Sequence, residues 1–102
     1  MNKIKTLKIY KNNKNTIIDF WANWCAPCIY LNPILEEIKK KYEKKIFIYK
    51  INIDKEKKIS KFYNVISIPT IIFLKYGKEI NRHIGLINKK KFIELCNKLI
   101  NY

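Results

Sequence analysis

Thr16-Ile17-Ile18-Asp19-Phe20-Trp21-Ala22-Asn23-Trp24-Cys25-Ala26-Pro27-Cys28 is the stretch that decides the fold of this chain, because it leads from an apolar strand into a helix through two cysteines. Residues 16–22 are β-branched and aromatic, with apolar side chains falling on both faces, as in a central strand covered from both sides. From Pro27 onward, Leu31, Ile34, Leu35, Ile38 and Tyr42 recur at helical spacing, while Glu36, Glu37, Lys39 and Lys40 take the other side. That pattern predicts an amphipathic helix with a kink near Pro33. Cys25 and Cys28 then stand at i and i+3 where the helix begins, with both sulfurs on one side at bonding distance.

A reversible disulfide is therefore available. Cys25, at the helix N-terminus, meets unpaired backbone N–H groups and the positive end of the helix dipole, which favour thiolate over thiol. It is the expected attacking sulfur. Pro27 removes one N–H and fixes φ in the first turn, which helps hold the two cysteines in register. Asp19 is a carboxyl in an otherwise apolar strand, where desolvation raises its pKa and suits it to take a proton from Cys28. The plainer alternative for Asp19 is a strand-end carboxylate that reaches solvent. Half a zinc site is the alternative for the cysteine pair, but it needs two more ligands, and only Cys96 and His83 are at hand. Cys96 falls on an apolar helical stripe and reads as a small buried hydrophobe. His83 reads as sharing the polar face of its strand with Glu79 and Asn81. No metal is expected, and no cofactor.

Outward from this stretch the elements follow in order. In residues 1–15, Ile4 and Leu7 fit a helical spacing while Leu7 and Ile9 fit strand alternation; the reading taken is a short helix, followed by the polar turn Lys11-Asn12-Asn13-Lys14-Asn15. A second strand, Ile46-Phe47-Ile48-Tyr49-Lys50-Ile51-Asn52-Ile53, is apolar on both faces until Lys50 and is expected beside the first. Lys50 is either an exposed lysine at a pleat or a partner for Asp19 across the strands. Glu56 to Tyr63 reads as a short helix ended by Asn64, a residue that tolerates the left-handed conformation. Thr70 to Lys75 and Lys78 to Ile84 form an antiparallel hairpin across Tyr76-Gly77. Asn88 caps a last helix carrying Phe92, Leu95, Cys96, Leu99 and Ile100 on its apolar side. Strands joined by helices imply parallel pairing, and the hairpin adds an antiparallel edge. The fold class is α/β: a mixed central sheet with helices on both faces.

The 102 residues, 48% of them apolar and 14% aromatic, suffice for one domain spanning 1–102. No apolar run approaches the roughly 20 residues of a membrane-spanning helix. The basic start Met1-Asn2-Lys3-Ile4-Lys5 lacks the apolar stretch and cleavage site of a secretory signal, so the chain is either not exported or already processed. Lys and Arg number 22 against 8 Asp and Glu, a formal charge of +14, which favours acidic partners, nucleic acid or anionic lipid through long-range attraction. The lysines are spread over solvated helix faces, and the joint abundance of Lys, Asn and Ile is also what a nucleotide-biased genome produces. Nucleic acid is accordingly not the expected partner. Three cysteines, an odd number, argue against the disulfide framework of small secreted domains.

With these residues in view, the chain from about residue 16 resembles the thioredoxin family. The resemblance rests on Asp19 to Cys28, then Pro33, Lys50 to Asp54, Ile68-Pro69-Thr70, Gly77 and Gly85. It implies a thioredoxin fold, and a cis peptide bond before Pro69 that sets this proline beside the two cysteines. It implies a docking surface of Trp24, Ala26, Pro27, Ile68, Pro69 and Gly85 for extended segments of partner proteins. It also implies that Asp19 and Lys50 assist proton transfer. Two features depart from the family pattern. Ala26 stands where glycine is usual. The N-terminal segment is short, so the sheet is expected with four strands or five.

The implied activity is reduction of disulfides in target proteins: Cys25 attacks, Cys28 resolves the mixed disulfide, and a separate thioredoxin reductase restores the dithiol. A monomer in the cytoplasm or the interior of an organelle is expected. An oxidase or isomerase of secreted proteins is disfavoured, because Ala26-Pro27 lacks the histidine common in that group. A basic binding module with incidental thiols is the rival from another class, and it predicts steeply salt-dependent DNA binding.

Overall fold

In the computed structural model, which describes residues 10–102, the elements run β1 (Asn15–Trp21), α1 (Ala26–Lys41), β2 (Phe47–Asn52), α2 (Lys57–Phe62), β3 (Thr70–Lys75), β4 (Lys78–Ile84) and α3 (Lys89–Asn101). Among the described residues the sheet has four strands, in the order β2-β1-β3-β4. The long helix α1 returns the chain to the end of the sheet where β1 began, so β2 runs parallel to β1. The same expectation fails for β3, which lies antiparallel to β1. Helix α2 advances only about 9 Å, less than half the roughly 20 Å of a six-residue strand, and the rest of the 53–69 connection does not return the chain along the sheet, so β3 enters from the end where β2 finished.

Alternation along β1 divides the core. Ile17 packs on one face with Leu31, Leu35 and Ile38 of α1 and Phe92, Leu95 and Leu99 of α3. Ile18 and Phe20 pack on the other with Tyr10, Ile59 of α2 and Tyr63. Each such fully buried side chain contributes about 1.5–3 kcal/mol. A third, smaller cluster holds Ala22, Cys25 and Cys28, with Trp21, Ile53 and Ile68 against it. It lies where β1 hands over to α1, and its place at the seam between the two larger clusters positions the site.

Strand β2 is less covered than its composition suggests. Phe47 is 53% exposed and only Ile51 is buried. Among the described residues the strand stands at the sheet edge, so apolar residues on both faces do not there mean cover on both faces. Residues 10–12 are helical, and the rest of the expected N-terminal helix lies outside the described residues. Asn15, expected in a polar turn, opens β1. It is buried because both ends of its amide are used: Nδ2 donates to the Lys45 carbonyl at 3.1 Å and Oδ1 accepts from Lys75 Nζ at 2.8 Å.

Local signals elsewhere act as their chemistry requires. Helix α1 runs unbroken through Pro33. Asn64 takes φ +54 after α2, with its N–H on the Lys61 carbonyl and the Val65 N–H on Ser60, which closes the helix in a Schellman arrangement. Tyr76 and Gly77 both have positive φ, as a two-residue type I′ hairpin demands. A bulge between Phe73 and Leu74 then changes the face of the first residues of β4. Glu79 therefore leaves the expected face of Asn81 and His83 and joins Arg82, whose guanidinium donates to both Glu79 carboxylate oxygens at 2.8 Å. The Asn88 side chain caps α3 by accepting from the Lys91 N–H at 2.8 Å.

Candidate active site

Cys25 is the N-cap residue of α1, with extended backbone (φ −96, ψ 101), and its Sγ accepts a hydrogen bond from the Cys28 N–H at 3.2 Å. A sulfur in the N-cap role takes the place usually held by a Ser or Asp oxygen, so the helix N-terminus stabilises negative charge there. Ala26 and Pro27 form the exposed first residues of the helix, and Pro27 withdraws one N–H that would otherwise need a partner. Cys25 and Cys28 are disulfide-bonded, with Cα atoms 5.3 Å apart. Both residues are buried, Cys25 at 5% and Cys28 at 2% exposure.

Two further loops meet this pair. The Ile68-Pro69 peptide is cis, and Ile68 packs against the cysteine cluster. The Gly85 N–H donates to the Pro69 carbonyl at 2.8 Å, which ties the end of β4 to the proline loop. Gly85 has φ +93 with open space where a Cβ would lie, so it is the backbone conformation, not crowding, that asks for glycine. Trp24 is 68% exposed, and its indole N–H is anchored on Asp54 Oδ2 at 2.9 Å. Asp54 is itself placed by its N–H on Asn52 Oδ1 at 2.9 Å.

Asp19 is fully buried, and neither carboxylate oxygen has a hydrogen-bond partner. The strand-end alternative is thereby corrected: β1 continues past Asp19 and is covered on both sides. Desolvation pushes the Asp19 pKa up to about 6, against a smaller opposing pull from Lys50. Lys50 is the register neighbour of Asp19 across β1 and β2. Of the two readings of Lys50, the exposed lysine is the one found, and no ion pair with Asp19 is formed. The Lys50 ammonium donates to Asn32 Oδ1 at 2.8 Å and lies 4.9 Å from the centre of the Trp21 ring. Burying both charges together would desolvate the ammonium, and the long side chain instead carries it to the exposed margin. Cys96, the third cysteine, sits in the α1–α3 core, where burial raises its thiol pKa to about 12.

Some site residues escape sequence reasoning. Tyr30 and Leu86 join Ala26 and Pro27 around an open apolar groove of about 400 Å³. Tyr30 is 77% exposed and Leu86 66% exposed. Tyr30 lies off the buried stripe of α1, one turn from Ala26, and an aromatic there is the signal that could have found it. Leu86 follows Gly85 directly. Asn32, the acceptor for Lys50, carried no signal.

A sequence model of the thioredoxin family matches residues 5–98. The thioredoxin of Rickettsia bellii is 40% identical over 93 residues, covering 91% of this chain and 89% of the relative. That of Rickettsia typhi is 41% identical over the same shares. The oxidised form of mitochondrial thioredoxin 3 from Saccharomyces cerevisiae superposes with a TM-score of 0.85 at 27% identity, covering 93% of this chain and 88% of that one. No helix among the described residues is long and apolar enough to cross a membrane. A sulfur pair able to open and close at a helix N-terminus, on a sheet shared with these relatives, makes the chain a member of the thioredoxin family, a protein disulfide oxidoreductase that acts on disulfide-containing targets.

Proposed function

We propose that Cys25 is the attacking sulfur and Cys28 the resolving one. The observation that carries this assignment is the N-cap geometry: the helix N-terminus and the Cys28 N–H both converge on Cys25 Sγ. In the reaction, the Cys25 thiolate attacks one sulfur of a target disulfide, which forms a mixed disulfide and releases one target thiolate. Asp19 accepts the proton of Cys28, and the Cys28 thiolate attacks Cys25 Sγ. The second target thiolate leaves and is protonated. The target gains two electrons and the Cys25–Cys28 pair loses them, ending as the disulfide. No cofactor takes part within the chain. A thioredoxin reductase returns two electrons and two protons.

The target segment lies over Trp24, Ala26, Pro27, Ile68, Pro69 and Gly85, with Tyr30 and Leu86 extending the surface along the groove. Lys50 lends its positive field to Asp19. The protein works as a monomer, in the cytoplasm or an organelle interior kept reducing. Replacing Cys28 by Ser tests the assignment. The variant is expected to accumulate a mixed disulfide with a target through Cys25, resolvable on a non-reducing gel. Trapping through Cys28 in a Cys25→Ser variant, with none in Cys28→Ser, would reverse the roles.

A further inference from the structure

Three elements meet at the Lys50 ammonium: β2 supplies the lysine, β1 the Trp21 ring, and α1 the Asn32 side chain that accepts its hydrogen bond. Asn32 stands four residues after Cys28, on the same side of α1 as the resolving sulfur. Lys50 also lines an open cavity of about 270 Å³ together with Trp21, Asn23, Asn52, Lys55 and Glu56. The ammonium therefore has two places to go. Held by Asn32, it stays in the field of Asp19. Released, it is free to follow the solvent-open cavity that Glu56 also lines.

We propose that Asn32 is a positioning residue for the thiol-disulfide reaction: its side-chain carbonyl holds the Lys50 ammonium against Trp21, near Asp19 but not bonded to it. Both consequences matter. An ammonium bonded directly to Asp19 would fix the carboxyl as a permanent anion, whereas an ammonium lost to solvent would leave it harder to ionise. The Asn32 hydrogen bond keeps Lys50 between these extremes, so the carboxyl oxygens remain free to take and return a proton. Lys50 is the charge that acts on Asp19, lowering the pKa that burial raises. The β3 register neighbour of Asp19 is Ile71.

The inference rests on Asp19 serving as the proton acceptor, and the test separates the two ideas. The Asp19 carboxyl is followed by 13C NMR against pH in the oxidised protein, for wild type, Asn32→Ala, Asn32→Gln, Lys50→Met and the Asn32→Ala/Lys50→Met double variant. The expected result is an upward move of the Asp19 midpoint in Asn32→Ala by roughly half a pH unit, the size of losing part of one nearby charge at a partly solvated site. Lys50→Met should move it at least as far, the double variant no further than Lys50→Met, and Asn32→Gln should restore much of the wild-type value. A midpoint that stays at wild type or moves down in Asn32→Ala overturns the proposal, as does a full additional shift in the double variant. A midpoint that moves up while the pH profile of insulin reduction does not follow upholds the hold on Lys50 and removes Asp19 from the proton transfer.

Discussion

Replacing Asp19 by Asn should stabilise the oxidised protein above pH 6 and leave it nearly unchanged near pH 4. In the unfolded chain the carboxyl ionises near 3.8, whereas in the folded protein burial delays ionisation to about 6. Between these values the native state holds a proton that the unfolded state has lost, so stability falls as pH rises through the window and the full penalty is present above it. At about 1.4 kcal/mol per pH unit, that penalty is roughly 3 kcal/mol. An amide of the same shape carries no charge to desolvate, and it gives up no hydrogen bond, since both Asp19 oxygens are unpartnered. Urea unfolding of wild type and Asp19→Asn from pH 4 to pH 8 reads the difference directly. With slopes of about 1–3 kcal/mol per molar urea, the midpoints should separate by roughly 1–3 M at pH 8 and converge at pH 4. Two curves that run parallel across the whole range would refute the reasoning, because they would mean that the carboxyl ionises alike in folded and unfolded chains.

Gly77→Ala should destabilise the fold by about 1–2 kcal/mol in thermal or urea unfolding, since the residue has φ +82 and a Cβ there would lie 2.9 Å from Lys11 Cγ. Asn88→Ala removes the cap on α3 and should cost about 1 kcal/mol in the same assay. Leu86→Asp, on an exposed position, should change stability by less than about 0.5 kcal/mol yet raise KM for a protein disulfide substrate several-fold in steady-state kinetics, because it places a charge in the apolar groove beside Pro27.

Much of this fold was legible because local chemistry and tertiary environment agree. The bounds of β3 and β4 follow from the apolar run Ile71 to Leu74 and the break at Tyr76-Gly77, and both turn residues do adopt positive φ. The cysteine pair was legible for the same reason: strand, cap and proline set its geometry within a few residues. What sequence did not reveal depends on neighbours distant in the chain. The antiparallel setting of β3 depends on where the whole 53–69 connection sets the chain down, which the short helix read from the sequence does not by itself decide. The edge position of β2 leaves Phe47 uncovered, although its composition matches that of a central strand. The bulge that turns Glu79 toward Arg82 is a single added residue without a marking glycine. Sequence left Lys50 open between an exposed lysine and a partner for Asp19; the two are register neighbours, and Asn32 and Trp21 hold the ammonium at the exposed margin. Tyr30 and Leu86 look like ordinary surface apolar residues until the fold gathers them beside Pro27.

The central claim is that the sulfur at the head of α1 performs thiol-disulfide exchange, and insulin reduction by dithiothreitol tests it most directly. Wild type and Cys25→Ser would be compared at moderate salt, each first shown to be folded. Acceleration by wild type that vanishes in Cys25→Ser is the predicted result. Equal acceleration by both, or none by folded wild type, would contradict the account.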